Sequence, residues 1–512
     1  MTQPATPRPC VIGIDLGTTA IKVAAFAGDE LIHLASQPAN LRRSSDGAAE
    51  LDPREQLAAV HAALAQVVAG VRAAGYTVAR VGISAAMHSL LAVDADGAPL
   101  TAAMTWADLR AEQDAEALWA SPQGPAIYAR TGAPIHAMTP LAKLMWLRHA
   151  RPDIWQRAAR FVGLKEWIWR QWFGEWAIDA SLASATGLYN LRQRQWDADA
   201  LALAGVSPER LSRIVPTTYT RADILPARLQ AAGLAPGCAT NIGASDGALA
   251  NLAVHALDGR RLVLTIGTSL AVRVGASSIA LDPATRDFCY VVAEERNLYV
   301  RGAPSNSGGA LLEWVYQRGA TAFAADAPGA AHAASLAAHT ESFDAAMAAA
   351  GQASSDGLYC LPYIAGERAP LWTSRTSGAV IGLRSEHTAI HVLRAAAEGI
   401  IFNARWIAEP LLTATPAPEA VIASGGALQS AWMRQLVADV FGLPVYEVST
   451  LEASACGAAT LADLAVGARD WASVSQPIAP ASISQPDTTR HTDYARRYGV
   501  FRRLARSLAT DC

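Results

Sequence analysis

The chain has 512 residues, too many for one compact domain, so two large domains are the natural division. Hydrophobic residues make up 51% of it and the formal net charge is only -3, which supports a large core and gives no electrostatic reason to expect nucleic acid or an anionic membrane as partner. The cysteines (Cys10, Cys238, Cys289, Cys360, Cys456, Cys512) are scattered with no C-x-x-C pair, and no His/Cys group has zinc-ligand spacing, so free thiols in a reducing cytoplasm are expected rather than a disulfide scaffold or a zinc module.

The first ten residues, MTQPATPRPC, lack the apolar stretch of a signal peptide, and no uninterrupted apolar run is long enough to span a bilayer. Val11 to Ile14 is a short apolar run that ends at Asp15. Gly17-Thr18-Thr19 turns the chain into a second strand-like run, Ile21 to Ala27, and Gly28-Asp29 into a third, Leu31 to Ala35. Two strands joined by a tight Gly-Thr-Thr turn read as a hairpin. A helix follows, with Asp52 as N-cap, Pro53 in the first turn, Glu55 completing a capping box and Gly75 at its end. Val81 to Ser84 is the next strand, with Met87-His88 just beyond it. Trp106, Asp108 and Arg110 follow another connection. Trp146, Trp167, Trp169, Trp172 and Trp176 lie in helix-like stretches and read as core. Strands alternating with helices predict a mostly parallel α/β sheet that carries an antiparallel hairpin.

The most informative feature is an internal repeat. IDLGTTAIKV (Ile14 to Val23) recurs in outline as LTIGTSLAVRV (Leu264 to Val274), half a chain away. Recurrence at that distance predicts two similar domains, each opening on the same hairpin. Ala235-Pro236-Gly237 precedes the second copy as a plausible linker. Further on, Val421 to Ala423 reads as a strand, Gly425-Gly426 as a turn, and about Gln429 to Phe441 as a helix. Gln476 to Thr489 reads as a loop before a last basic helix around Tyr494 to Leu508.

Several of these features suit phosphate and sugar chemistry. A Gly-Thr-Thr turn lets backbone N–H groups approach a phosphate and adds two hydroxyl donors, although a single such turn in a hairpin is usually only a turn. Asp15 is a hard oxygen ligand suited to Mg²⁺, and Lys22 offers a cation nearby. Gly267-Thr268-Ser269 repeats the turn, so that two turns facing one another would clamp one polyphosphate. Strand, Gly425-Gly426 and helix N-terminus form a phosphate-binding geometry without the G-K-[ST] of a P-loop. Asp246 stands between Ser245 and Gly247 before an apolar helix. It is either a plain N-cap or a cleft acid able to act as general base. Met87, His88, Trp106, Asp108 and Arg110 combine an aromatic face with a carboxylate and donors, which suits a polyol.

Together these segments resemble the FGGY carbohydrate kinases over nearly the whole chain. VIGIDLGTTAIKV resembles the first phosphate motif and MTPLAKLMWLRHA (Met138 to Ala150) the first family signature, with His149 and Ala150 departing from its usual polar ending. GAVIGLRSEHTAIHVLRAAAEGI (Gly378 to Ile400) resembles the second signature, with Ala397 where a bulkier apolar residue is usual. Within the family, SAAMHSLLAVD, TWADLR, GAPIHAMTPLAKL, DASLASATGLYNL and GASDGALANLAV are most similar to gluconate kinases, with Leu109 and Ser307 as departures.

The resemblance implies an α/β fold of two actin-like, ribonuclease H-like ATPase domains, residues 1–245 and 246–512, with a cleft between them. It implies ATP near Gly425, Gly426 and Ala427, with Thr18, Thr19, Lys22, Gly267, Thr268 and Asn306 on its phosphate side and Mg²⁺ near Asp15. Asp246 would take the proton of the attacking hydroxyl. Met87, His88, Trp106, Asp108 and Arg110 would hold D-gluconate, phosphorylated at its terminal hydroxyl. Arg110 is the first choice of cation for its carboxylate, with His88 and Lys165 as alternatives. A kinase for xylulose or another polyol is the neighbouring reading. A non-enzymatic actin-like nucleotide switch is the more distant one, and it would need no sugar pocket. The implied partners are a small sugar acid or polyol and ATP, with a homodimer left open.

Overall fold

The computed structural model describes residues 7–325, 336–412, 416–448 and 452–510; the first six residues and Cys512 lie outside them. The chain forms two compact units. The first comprises Met1–Asp258, Gly275–Arg301 and Thr450–Ile478, the second Gly259–Val274, Gly302–Ser449 and Ala479–Cys512.

In the first unit a sheet of six strands runs in the order Thr220–Arg221, Ala239–Ser245, Tyr76–Ala85, Arg8–Leu16, Ala20–Ala27, Glu30–Pro38. The hairpin is as expected: Arg8–Leu16 pairs antiparallel with Ala20–Ala27 and closes at Leu16↔Ile21. On its other edge Arg8–Leu16 pairs parallel with Tyr76–Ala85, which pairs parallel with Ala239–Ser245. These strands are covered on both faces, and their sequences are accordingly apolar almost throughout. Alternation divides the faces. Ile12 and Ile14 meet the helix Pro53–Ala73 through Val60, Leu64 and Val67, while Val11, Ala24 and Phe26 meet the helix Ala453–Ala465 through Ala455, Ala459 and Ala462.

Asp52 caps the first helix, accepting from the backbone N–H groups of Arg54 and Glu55. The capping box is not completed as expected, because the Glu55 carboxylate pairs with Arg42. Among the described residues this is the one helix long and apolar enough to cross a membrane, and its Leu57, Val60, Leu64, Val67 and Val71 stripe is buried in the core. Trp167, Trp169 and Trp172 are buried as expected, while Trp176 follows that helix rather than belonging to it.

The second unit repeats the arrangement. Arg261–Ile266 and Leu270–Ala276 form an antiparallel hairpin that closes at Ile266↔Leu270, and the first strand again pairs parallel on its other edge, here with Ala420–Ser424. Val445–Glu447 and Ser482–Ser484 extend the sheet. The long helix Ala389–Leu412 and the last helix, Thr488–Thr510, fill the core with Leu393, Ile400, Phe402, Tyr498 and Phe501. Glu398, within the second signature, is buried between Arg394 and Arg497 and serves this packing.

The linear division at 245/246 and the linker at Ala235-Pro236-Gly237 differ from this arrangement. Those three residues lead into Ala239–Ser245, whose hydrogen bonds to Tyr76–Ala85 keep it in the first sheet, and the chain passes to the second unit only after Asp258. The helix Ala453–Ala465 then returns to the first unit.

That return depends on close backbone approach. A Cβ on Gly13 would stand 1.8 Å from the Ala455 carbonyl oxygen, and one on Gly82 would stand 2.0 Å from that of Ala458. Gly13→Ala is therefore expected to cost about 1–3 kcal/mol or more in urea unfolding, as overpacking does. Gly426→Ala, with nothing within 4 Å of the new atom, is expected to stay within about 0.5 kcal/mol of wild type.

Candidate active site

Register brings two carboxylates together at the carboxyl ends of the central strands, where open α/β sheets bind their ligands. Asp15 pairs with Ser84 across one strand boundary and Ser84 with Ala244 across the next, so Asp246, two residues on, arrives beside Asp15. Ser84 Oγ donates to Asp15 Oδ1 at 2.7 Å. Burial and then the Asp246 charge push the Asp15 carboxyl up to about 7, against the pull of Ser84 and Lys22. Ser245, not Asp246, is the N-cap of the helix Asp246–Ala253. This disposes of the plain capping role for Asp246. Its Oδ1 accepts from the Gly247 N–H at 2.7 Å, at the positive end of that helix, where a carboxylate is stabilised.

Two residues that sequence reading missed complete this cluster. Glu452 binds Lys22 through both oxygens, at 3.0 and 2.8 Å, so the Lys22 charge is already paired. Ser454 Oγ donates to the Asp246 carbonyl at 3.4 Å. Both precede or open the helix Ala453–Ala465, and no motif marks them.

The segments expected to hold sugar lie in the same unit. Thr18 Oγ1 accepts from Trp106 Nε1 at 3.3 Å, a direct link between the phosphate turn and the aromatic face. His88 is buried, stands in the left-handed region at φ 70°, and its Nδ1 contacts the Ala185 carbonyl at 2.8 Å. Tyr290 meets its ring edge-on at 6.0 Å. Met87 is partly buried against the core.

Asp108 and Arg110 are differently placed from the expectation. The Asp108 carboxylate is 1% exposed; it takes Arg110 Nε at 3.1 Å, Arg110 Nη2 at 2.7 Å and the Ala49 N–H at 3.1 Å. Arg110 also pairs with Glu50 and lies over the Trp146 ring. Its fork is therefore committed to two carboxylates of the chain itself. Lys165 is likewise committed: its Nζ lies 2.6 Å from Asp179 and donates to the carbonyls of Ile242 at 3.0 Å and Ala244 at 3.3 Å. Those carbonyls flank Gly243, at φ 73° in a bulge just before Asp246. Burial lowers the Lys165 pKa, and Asp179 opposes that.

In the second unit, Gly267 and Ser269 are partly buried and Thr268 is exposed at the hairpin tip. The tip is braced from behind: its Gly267 and Thr268 carbonyls accept the N–H groups of Gly309 and Ala310, at 2.7 and 3.2 Å. Gly425, at φ 91°, packs on the same strand end, since a Cβ there would stand 2.5 Å from the Ile266 carbonyl oxygen. The two glycine turns are thus neighbours within this unit. Gly426 is exposed and Ala427 is half-buried. The helix expected from Gln429 begins at Ala431; Gly426–Gln429 forms a 3₁₀ turn instead, whose last carbonyls are taken up by Arg434 Nη1. Asn306 is held by Arg368 Nε at 2.8 Å and by its own bond to the Ala365 carbonyl. Beside it, buried Glu367 binds Ser305, Ser307 and Asn403 and is pushed up to about 7 by burial.

The donor set at Asp15 fits Mg²⁺. A buried carboxyl beside a second carboxylate gains from a dication. Among the described residues no group of three His, Cys, Asp or Glu could hold a metal ion. A stability consequence follows with a definite sign. The folded chain keeps the Asp15 proton up to about pH 7, whereas the unfolded chain gives it up near the ordinary 3.8. Between those values the unfolded state holds fewer protons, so this group's contribution to stability is lost as pH rises through 7. In metal-free protein, Tm measured from pH 5 to 8 is expected to fall less steeply in Asp15→Asn than in wild type.

Residues 10–253 match the FGGY family of carbohydrate kinases, N-terminal domain, and residues 262–466 its C-terminal domain. The gluconokinase of Bacillus subtilis (strain 168) is 35% identical over 501 residues, 97% of this chain and 96% of that protein. The crystal structure of gluconate kinase from Lactobacillus acidophilus superimposes with TM-score 0.89 at 29% identity, covering 98% of each chain. That of ligand-bound xylulose kinase from the same organism gives 0.88 at 29%, again covering 98% of each. The fold is the two-domain, actin-like ATPase fold of those structures. The chain belongs to the FGGY family of carbohydrate kinases, phosphotransferases with an alcohol group as acceptor.

Proposed function

We propose that this kinase transfers the terminal phosphoryl group of ATP to the terminal hydroxyl of D-gluconate, giving 6-phospho-D-gluconate and ADP. The observation that carries the reaction is the Asp15–Asp246 pair beside a Gly-Thr-Thr turn. The observation that favours gluconate is the 35% identity to a gluconokinase across nearly the full length of both chains. Structural likeness alone favours neither sugar, because the gluconate and xylulose kinases of one organism superimpose almost equally well.

In this reading Asp246 accepts the proton of the attacking hydroxyl as the oxygen–phosphorus bond forms and the bond to the ADP oxygen breaks. Its place beside Asp15, at the carboxyl end of Ala239–Ser245, suits it to that role. Thr18, Thr19 and Thr268 hold the β- and γ-phosphates, with Gly267 and Asn306 beside them, and Gly425, Gly426 and Ala427 hold the nucleotide. Asp15 holds Mg²⁺, which when bound neutralises charge on the phosphates. Lys22 supports the same turn through its pair with Glu452. The chain's part is positioning and charge neutralisation, as phosphoryl transfer requires. Trp106 offers the sugar a face, and His88 and Met87 line the same wall. Arg110 orders Asp108 rather than waiting for a substrate carboxylate. The five described cysteines are buried free thiols, which supports a reducing, cytoplasmic setting.

Two measurements test this. Across gluconate, xylulose, glycerol and ribulose, kcat/KM is expected to be highest for gluconate; a neutral sugar in first place ends the gluconate reading and leaves the kinase standing. Asp246→Asn keeps the shape and removes the base. Turnover is expected to fall by about 10²-fold or more while sugar and ATP still bind. Near-normal turnover would remove Asp246 from this role.

A further inference from the structure

Lys143 is fully buried, in the helix Pro140–Ala150 that carries the first signature. A buried lysine needs a reason, because taking an ammonium out of water is costly unless its donors are used. Here they are. Its Nζ donates to the carbonyl of His88 at 2.6 Å and to that of Thr105 at 2.7 Å. The first carbonyl belongs to a sugar-wall residue itself. The second lies in the peptide that leads into Trp106.

The two segments are otherwise joined by a short ladder. Leu90 and Met104 exchange both backbone hydrogen bonds, at 3.0 and 2.8 Å. Just past that pair the ladder stops, and Lys143 Nζ joins the two segments instead, donating to the His88 carbonyl and to the Thr105 carbonyl, which also accepts the Asp108 N–H at 3.1 Å. The His88 carbonyl also belongs to a residue in the left-handed region, a conformation that a side-chain-bearing residue keeps only where its surroundings hold it. Burial pushes the Lys143 amine down to about 7, with the Asp108 charge opposing. The neutral amine keeps two N–H groups, enough for both carbonyls, so the clasp survives loss of the proton.

We infer that Lys143 is a positioning residue for the sugar: it clasps the His88 and Trp106 segments at a fixed spacing and so sets sugar affinity without touching sugar or nucleotide. This rests on the reading of His88 and Trp106 as the sugar wall. The lysine is part of a signature that marks the family; its partners in the fold supply the role.

Lys143→Met keeps the stem and deletes the donors. The sugar KM is expected to rise about 10-fold or more, as the link between the His88 and Thr105 carbonyls is lost, while Kd for ATP and kcat at saturating sugar stay within about twofold. A merely structural lysine would not produce that split. An unchanged sugar KM overturns the proposal. So does a variant in which sugar and ATP binding weaken together. Lys143→Gln keeps an N–H donor group on a shorter stem; it is expected to give an intermediate KM, and it serves in place of Lys143→Met if the latter fails to fold. Both variants are compared with wild type on gluconate, and on xylulose or glycerol if wild type does not phosphorylate gluconate. Wild-type inactivity on gluconate counts against the proposed substrate alone, whereas an unshifted KM on the accepted sugar counts against Lys143 alone.

Discussion

The backbone of the helix Ala453–Ala465 lies against the first unit's sheet at a distance that only glycine permits. At Gly13 and Gly82 a Cβ would fall within 2.0 Å of a helix carbonyl oxygen. No side chain could be accommodated by small shifts at that separation, because the obstructing atoms are backbone on both sides. This contact fixes where the helix begins, and its beginning carries chemistry. Glu452 reaches Lys22, and Ser454 reaches the Asp246 carbonyl. A segment more than four hundred positions along the chain thus sets the charge at the end of the first strand. The helix also covers the face opposite Pro53–Ala73, so the strands that deliver Asp15 and Asp246 are clamped on both sides. Burial between these elements, and then the charge of Asp246 held beside it, push the Asp15 carboxyl up to about 7.

How much of this was legible in the sequence follows from the range of each interaction. The hairpins were readable because a turn of three residues and its flanking apolar runs are local, and their recurrence half a chain away announced two related units. Asp246 was readable as an acid of interest, but whether it capped its helix was not: Ser245 and Asp246 are both good N-caps, and only the backbone angles choose between them. The helix after Gly425-Gly426 was misplaced by two residues for a similar reason, since a 3₁₀ turn and an α-helical turn have nearly the same sequence preferences. At Ala235-Pro236-Gly237 turn residues mark a loop without revealing that the next strand inserts into an existing sheet.

Charged residues were the least legible. Arg110 and Lys165 read from sequence as alternative partners for a substrate carboxylate, Lys143 carries no sequence signal of its own, and nothing local distinguishes the three. In the fold each has a different fate. Arg110 is shared between Asp108 and Glu50, the latter sixty positions earlier. Lys143 joins the carbonyls of His88 and Thr105. Lys165 meets Asp179 and the two carbonyls around the bulge before Asp246. In the last two cases the ammonium does the work of a backbone N–H where the backbone cannot supply one. That use depends on carbonyl directions, which are a property of the fold and have no sequence pattern.

This distribution of charge bears on how the site could tell a sugar acid from a neutral sugar. A buried cation with no partner in the empty site would make neutral sugars very poor substrates, because their binding would leave it unpaired; differences of about 10⁴-fold arise in that way. Arg110 and Lys165 are not cations of that kind, since each already faces a carboxylate of the chain. Selectivity resting on them would require an internal pair to open and a new one to form. The net gain would be the difference between two similar interactions. In the proposed reading, hydrogen-bond geometry along Met87, His88 and Trp106 is then the stronger discriminator. In the same reading the Lys143 clasp sets the spacing of those segments, so a shift of the His88 and Thr105 carbonyls would change sugar selectivity with every residue facing the sugar left as it is.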